Sequence, residues 1–170
     1  MFRLILALSL CFVTLLQAEA KGVYQTSEDF ISESFAGQAP QPQVIWLSKE
    51  LKKQVEAILQ HRYRGLRIRY WLKDGRSAWV LEEIGKEQPI TTGIVIANDK
   101  IERIKVLVFR ESRGWEVRHT FFTKQFIDAR LAKTNELDRY IDGISGATLS
   151  VRALTKLARI ALLLSQHIKQ

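Results

Sequence analysis

Thiols are almost missing from this chain. Cys11 is its one cysteine among 170 residues, and it lies in an apolar stretch close to the amino terminus. Once that stretch is removed, the remainder can form no disulfide, bind no metal through thiolate and use no cysteine nucleophile. Long apolar runs are missing as well: Leu4 to Leu16 falls short of the ~20 residues that span a bilayer as a helix. Histidine is scarce. His61, His119 and His167 show neither ligand spacing nor a partnering carboxylate motif, which leaves metal-dependent hydrolysis little support and no metal ligands to name. There is no nucleophile elbow, P-loop, dinucleotide-binding fingerprint or internal repeat.

What is present begins with Arg3, the apolar run and Gln17-Ala18-Glu19-Ala20. These read in order as the charged, hydrophobic and Ala-x-Ala cleavage regions of a signal peptide over residues 1–20. The expectation is export to the periplasm with cleavage after Ala20, in preference to retention as a membrane anchor. Leu10 is too large for the position before a lipid-modified Cys11. The chain from 21 to 170 suits one domain with a sizeable core, and its hydrophobic fraction of 46% is ordinary for a folded globule.

Hydrophobic periodicity divides the rest. Residues 21–47, loosest between Tyr24 and Gln43, read as an extended leader or lid packed on a body that runs from 48 to 170. Ser48 is a candidate N-cap for a helix in which Leu51, Val55, Ile58 and Leu59 recur at helical spacing. From Leu66 the period becomes two, and Asp74-Gly75 turns this strand into a second one over Arg76 to Ile84. Thr92 to Ala97 and Ile101 to Phe109 are rich in β-branched residues and flank the tight turn Asn98-Asp99-Lys100. From about Thr148 to His167, Leu149, Leu154, Leu157, Ile160, Ala161 and Leu164 mark a core stripe, with Arg152, Lys156 and Arg159 on the wet face. The expected class is α+β, an antiparallel sheet packed by helices and closed by a C-terminal helix.

That closing helix starts at a loop of unusual composition. Asp142-Gly143-Ile144-Ser145-Gly146-Ala147-Thr148 sets two glycines and two hydroxyls at the helix start. The first N–H groups of a helix have no partners within it and carry partial positive charge, so a phosphoryl group is stabilised there. Gly143 and Gly146 allow positive φ and close backbone approach. Ser145 is placed to cap the helix or donate to a phosphate oxygen. Asp142 before Gly143 also suits a plain turn.

The segment resembles the Asp-x-x-Ser/Thr-Gly-Ala-Thr motif of the FMN-binding domain family. Two further pieces are similar to that family and come in its order. Gly93 to Val106 resembles its hairpin, leading into Glu111-Ser112-Arg113-Gly114, which matches Glu-Thr-x-Gly with Ser112 in place of the commoner Thr. Phe121-Phe122-Thr123-Lys124-Gln125-Phe126 is similar to its aromatic segment. The resemblance implies FMN joined covalently, through its phosphate, to Thr148 by a flavin transferase that uses FAD and a divalent metal ion. It implies that Ser145, Gly146, Ala147, Gly143 and Asp142 surround the attachment point, with Asp142 serving recognition by the transferase. Glu111, Ser112 and Gly114 would lie beside the isoalloxazine ring, with one or two of Trp115, Phe121, Phe122 and Phe126 stacking on it. Larger relatives include flavin-bearing subunits of sodium-translocating NADH:quinone oxidoreductase, which are membrane-anchored. A cleavable signal departs from that plan and favours a soluble carrier.

Charge supplies the remaining clue. Arg3 and Glu19 leave together with the signal, so the net charge stays at +8. Arg62, Arg64, Arg67, Arg69, Lys73 and Arg76 crowd one region, interleaved with Tyr63, Tyr70 and Trp71. Export argues against nucleic acid as the partner, and a positive face would steer an acidic redox partner or meet a membrane surface. The reading is an exported electron-transfer flavoprotein, not a stand-alone enzyme, whose partners are membrane-bound or periplasmic redox proteins, cytochrome- or quinone-linked. Its rivals are a periplasmic flavin-dependent reductase of a small acceptor and a non-redox binding module with a basic face.

Overall fold

A computed structural model describes residues 22–168. The signal peptide expected over 1–20, with Cys11, lies outside the described residues. The elements run α1 (Ser27–Ser34), β1 (Gln43–Trp46), α2 (Lys49–Leu59), β2 (Arg67–Lys73), β3 (Arg76–Ile84), β4 (Pro89–Ala97), β5 (Lys100–Phe109), α3 (Thr120–Thr123) between two short 3₁₀ turns, and α4 (Thr148–His167). All five strands form one antiparallel meander in chain order. The class is α+β, as the alternation of strands and the amphipathic helices require.

Local sequence explains the joints. At Asp74-Gly75 and Asn98-Asp99 both turn residues have positive φ, between 50° and 74°, the backbone that closes a two-residue hairpin without splaying its strands. Ser48 Oγ accepts the Leu51 N–H at 3.1 Å and starts α2. α4 packs on one face of the sheet, where Leu154, Leu157, Ala161 and Leu164 meet Trp79, Ile94 and Ile96. Leu149 departs from its expected place in that stripe. It sits on the exposed side of the first turn of α4, ahead of the sheet contact.

The leader does not stay extended. Thr26 Oγ1 accepts the Asp29 N–H at 3.0 Å and starts α1, and β1 adds an edge strand to the sheet. Phe30, Ile31 and Phe35 lie against Ala78, Val95 and Leu107 on the face opposite α4. At Gly93 a Cβ would lie 2.6 Å from the Phe30 ring, so the missing side chain is what admits the helix. Arg103 Nη2 pairs with Glu33 at 2.7 Å and fastens α1 to β5. Hydrogen bonds from Arg103 and Gln25 hold the Glu33 carboxyl down to about 2. Only Phe30, Ile31 and Ser34 of α1 are buried, too few apolar positions for the segment to read as a helix. β4 is consequently covered on both faces and has no buried–exposed alternation between its ends.

Candidate functional site

The site gathers at the sheet end where β5 leaves and α4 begins. Past Phe109, Glu111 turns back onto the β3–β4 connection, and its Oε1 accepts the backbone N–H groups of Lys86, of Glu87 at 2.7 Å and of Gln88 at 3.0 Å. Burial works to raise the Glu111 carboxyl, but the three amides together hold it below its ordinary value. Arg110 Nη1 donates to Pro89 O at 3.2 Å and to Thr91 Oγ1 at 3.1 Å. The segment after β5 is thereby pinned to the neighbouring hairpin. It ends at Gly114, whose φ of +83° and contact with the first turn of α4 both exclude a side chain.

The other wall is the Asp142–Thr148 segment. Gln125 Oε1 accepts the Asp142 N–H at 2.7 Å, and the Ala147 N–H donates to Ile144 O at 2.9 Å, forming a turn in which Gly146 has φ +80°. Ala147 is buried and occupies the N-cap position of α4, and no side chain caps the helix. Ser145 is exposed and does not cap the helix, one of the two roles its residue type allows, because the turn through Gly146 puts Ala147 at that position. Gly143 needs no special backbone: it has no positive φ, and a Cβ there would meet open space. The Asp142 side chain is exposed and does not line the cavity described next.

Between these walls lies a cavity of about 500 Å³, within the range of small cofactor sites. Thr148, the first residue of α4, is exposed and lines it, together with Glu111, Ser112, Arg113, Lys86 and Ser150. Ser150 is 4% exposed, and its hydroxyl has no hydrogen-bond partner among the described residues. Arg113 likewise has no ion pair. Lys86 pairs with the exposed Glu87 at 3.1 Å, and its charge also helps to hold the Glu111 carboxyl ionised. Neither Ser150 nor the two basic residues was recognised from sequence. Ser150 reads there as one more polar residue of an amphipathic helix, and only the packing of Gly114 against it reveals its direction.

Thr148 also borders a second cavity, of about 730 Å³, on the far side of the helix start. Three of its four cations are engaged, Arg139 with Asp138 at 3.3 Å among them, and Arg152 alone is exposed without a partner among the described residues. Lys156 donates to Leu59 O at 2.6 Å and to Glu83 at 3.1 Å, and Arg159 pairs with Glu136 at 2.7 Å. Glu83, 5% exposed, also faces His61 Nε2 at 3.0 Å, a carboxylate partner that lies 22 positions away and forms no sequence motif. Hydrogen bonding to Glu83 raises the His61 pKa above its ordinary 6.5 against the opposing pull of burial. Of the aromatic candidates, Phe122 and Phe126 are core residues in edge-to-face contact at 5.5 Å, while Trp115 and Phe121 are exposed on either side of His119.

The first cavity therefore has a helix start without a side-chain cap, a serine hydroxyl with no partner among the described residues and basic side chains at its mouth. This is how a protein holds a phosphorylated cofactor at a helix N-terminus. Residues 85–163 match the family model of the FMN-binding domain, and the chain carries a domain of that family. The matched stretch runs from the β3–β4 connection into α4 and contains both walls of the cavity. It is an FMN-binding flavoprotein domain. No curated protein and no solved structure matches the chain.

Proposed function

We propose that the protein is an exported electron carrier whose FMN is joined through its phosphate to the hydroxyl oxygen of Thr148. The observation that carries this reading is the position of Thr148. It is the exposed first residue of α4, and it shares one cavity with the Glu111–Gly114 segment. Attachment would replace the Thr148 hydroxyl proton with the flavin phosphoryl group. The donor is FAD, the leaving group AMP, and the catalyst a flavin transferase with a divalent metal ion.

The chain's own residues have defined tasks in this reading. The first N–H groups of α4 and the guanidinium of Arg113 hold the phosphate, and Ser150 donates its hydroxyl into the same cavity. Glu111 stays ionised and fixes the β3–β4 connection as one rigid wall. Bound FMN supplies transfer of one or two electrons, which lets it join a two-electron donor to a one-electron acceptor. Tethering keeps the cofactor with the protein outside the cytoplasm, and the electron partners are membrane-bound or periplasmic redox proteins.

The test is intact mass and visible spectrum of the protein made in cells that express a flavin transferase, beside Thr148→Ala and Thr148→Ser. The expected result is an added mass of FMN less water, with absorbance that survives denaturation in the wild type and the serine variant and is absent from the alanine variant. An unmodified, colourless wild-type protein would overturn the reading in favour of a non-redox binding module.

A further inference from the structure

The strand order sets one end of the sheet apart. In an antiparallel meander the C-terminal ends of β1, β3 and β5 lie beside the N-terminal ends of β2 and β4. The cavity beside Thr148 is at that end, against the β3–β4 connection and the exit of β5. Three large apolar residues are exposed at the same end: Trp46 at 65%, Leu66 at 64% and Ile84 at 58%. Trp46 is the last residue of β1, Leu66 precedes β2, and Ile84 closes β3.

Arginines surround them. Arg62 and Arg64 lie in the connection that enters β2, and Arg67 is its first residue, with its guanidinium 5.6 Å from the Trp46 ring centre. None of the three has a carboxylate partner among the described residues. At the opposite end of the sheet Arg76 pairs with Glu102 at 2.9 Å and Lys100 with Asp128 at 3.3 Å, while Lys73 bonds the Gln38 amide oxygen at 3.1 Å. Open cations beside a protruding tryptophan and leucine are the chemistry that an anionic lipid surface takes. The indole ring and the aliphatic side chains enter the headgroup boundary while the guanidinium groups meet lipid phosphates.

We infer that this end of the sheet is a docking surface for an anionic membrane, seated through Trp46, Leu66 and Ile84 and held by Arg62, Arg64 and Arg67. The surface stands on its own exposure and charge. Its consequence, a flavin presented to donors within the bilayer, rests on the carrier reading above.

The test uses protein purified as cells produce it, with an N-terminus fixed by mass and the same in every variant. It is titrated with vesicles of phosphatidylglycerol and phosphatidylcholine, and with phosphatidylcholine alone. Binding to the anionic vesicles is expected, with Trp46 fluorescence quenched by brominated lipid. The double variant Arg62→Gln/Arg64→Gln should lower partitioning by roughly thirtyfold at low salt, Trp46→Ala/Leu66→Ala should weaken it, and Lys73→Gln at the far end should leave it unchanged. Equal binding to both vesicle types, no binding, or a Lys73 variant as impaired as the double variant would overturn the proposal. A protein that ignores lipid would instead direct the same arginines to an acidic redox protein. Flavin content is read on the same samples. Lipid binding by colourless protein keeps the surface and removes the carrier, and flavin-loaded protein that ignores vesicles does the reverse.

Discussion

Gly114 sits so close to α4 that a Cβ built on it would lie 2.7 Å from Ser150 Oγ and 3.3 Å from the Cβ of Ala147. This single contact joins the segment after β5 to the start of the helix, and so joins the two halves of the cavity. The Gly114 backbone is also left-handed, at φ +83°.

Gly114→Ala therefore meets two separate obstacles. The left-handed backbone alone costs an alanine about 1–2 kcal/mol, and the contact with Ser150 adds to it. Adding Ser150→Ala relieves the contact but not the backbone. Urea denaturation should show a loss of at least that size in Gly114→Ala and a partial recovery in the double variant. Full recovery would mean that the backbone at Gly114 carries no strain, and no loss in the single variant would mean that the two walls are not tightly joined.

Glu111 has a structural task that its place in the motif does not suggest. Its Oε1 is the shared acceptor for the backbone N–H groups of Lys86, Glu87 and Gln88, so Glu111→Ala leaves three donors without it, at about 1–3 kcal/mol. Glu111→Gln keeps an acceptor and should cost less. Because the carboxyl is held below its ordinary value, its stabilisation is complete above about pH 4.3 and is lost as the pH falls through the lower folded-state value. Denaturation midpoints of wild type and Glu111→Gln should thus converge in acid and separate toward neutrality. A constant gap across that range would remove the charge from the argument.

Much of this construction was legible in the sequence, and the rest was hidden for identifiable reasons. Ser48 capping α2, the paired turns at Asp74-Gly75 and Asn98-Asp99, and the start of α4 at Thr148 depend on neighbours within a few positions, which a sequence displays directly. α1 was missed because its stability comes from Phe30 and Ile31 entering a groove made by distant strands and by the bare backbone of Gly93. Residue type alone allows Ser145 either to cap the helix or to meet a phosphate oxygen, and the φ of +80° at Gly146 moves the helix start past it and removes the first of these. The pairing of Glu83 with both His61 and Lys156 joins β3, α4 and the α2–β2 connection, which no spacing rule relates.

Asp142 separates attachment from folding. Its side chain is exposed and its backbone N–H is satisfied by Gln125, so Asp142→Ala should shift the unfolding free energy by no more than about 0.5 kcal/mol. If Asp142 serves recognition by the transferase, the same variant should lower the flavin bound per mole of protein. Mass spectrometry and denaturation on one preparation decide it. Unchanged flavin content would assign Asp142 to the turn alone.

Stability should also depend on pH above the acid range, through His61. Its folded-state pKa is raised above 6.5, chiefly by hydrogen bonding to the buried carboxylate of Glu83, so the folded protein holds this proton more tightly than the unfolded chain. The resulting stabilisation is fully present below the unfolded pKa and fades as the pH rises through the folded one. His61 is half-exposed, and solvent screening keeps the effect below about 1 kcal/mol. Glu83 keeps Lys156 as a partner at 3.1 Å throughout, so deprotonating His61 does not leave the buried carboxylate alone. His61→Gln should flatten the fall in stability between weakly acid and weakly alkaline pH, whereas Glu83→Ala, which strands Lys156 in a partly buried site, should cost about 3 kcal/mol at every pH in that range. An unchanged pH slope in His61→Gln would mean that another group titrates there.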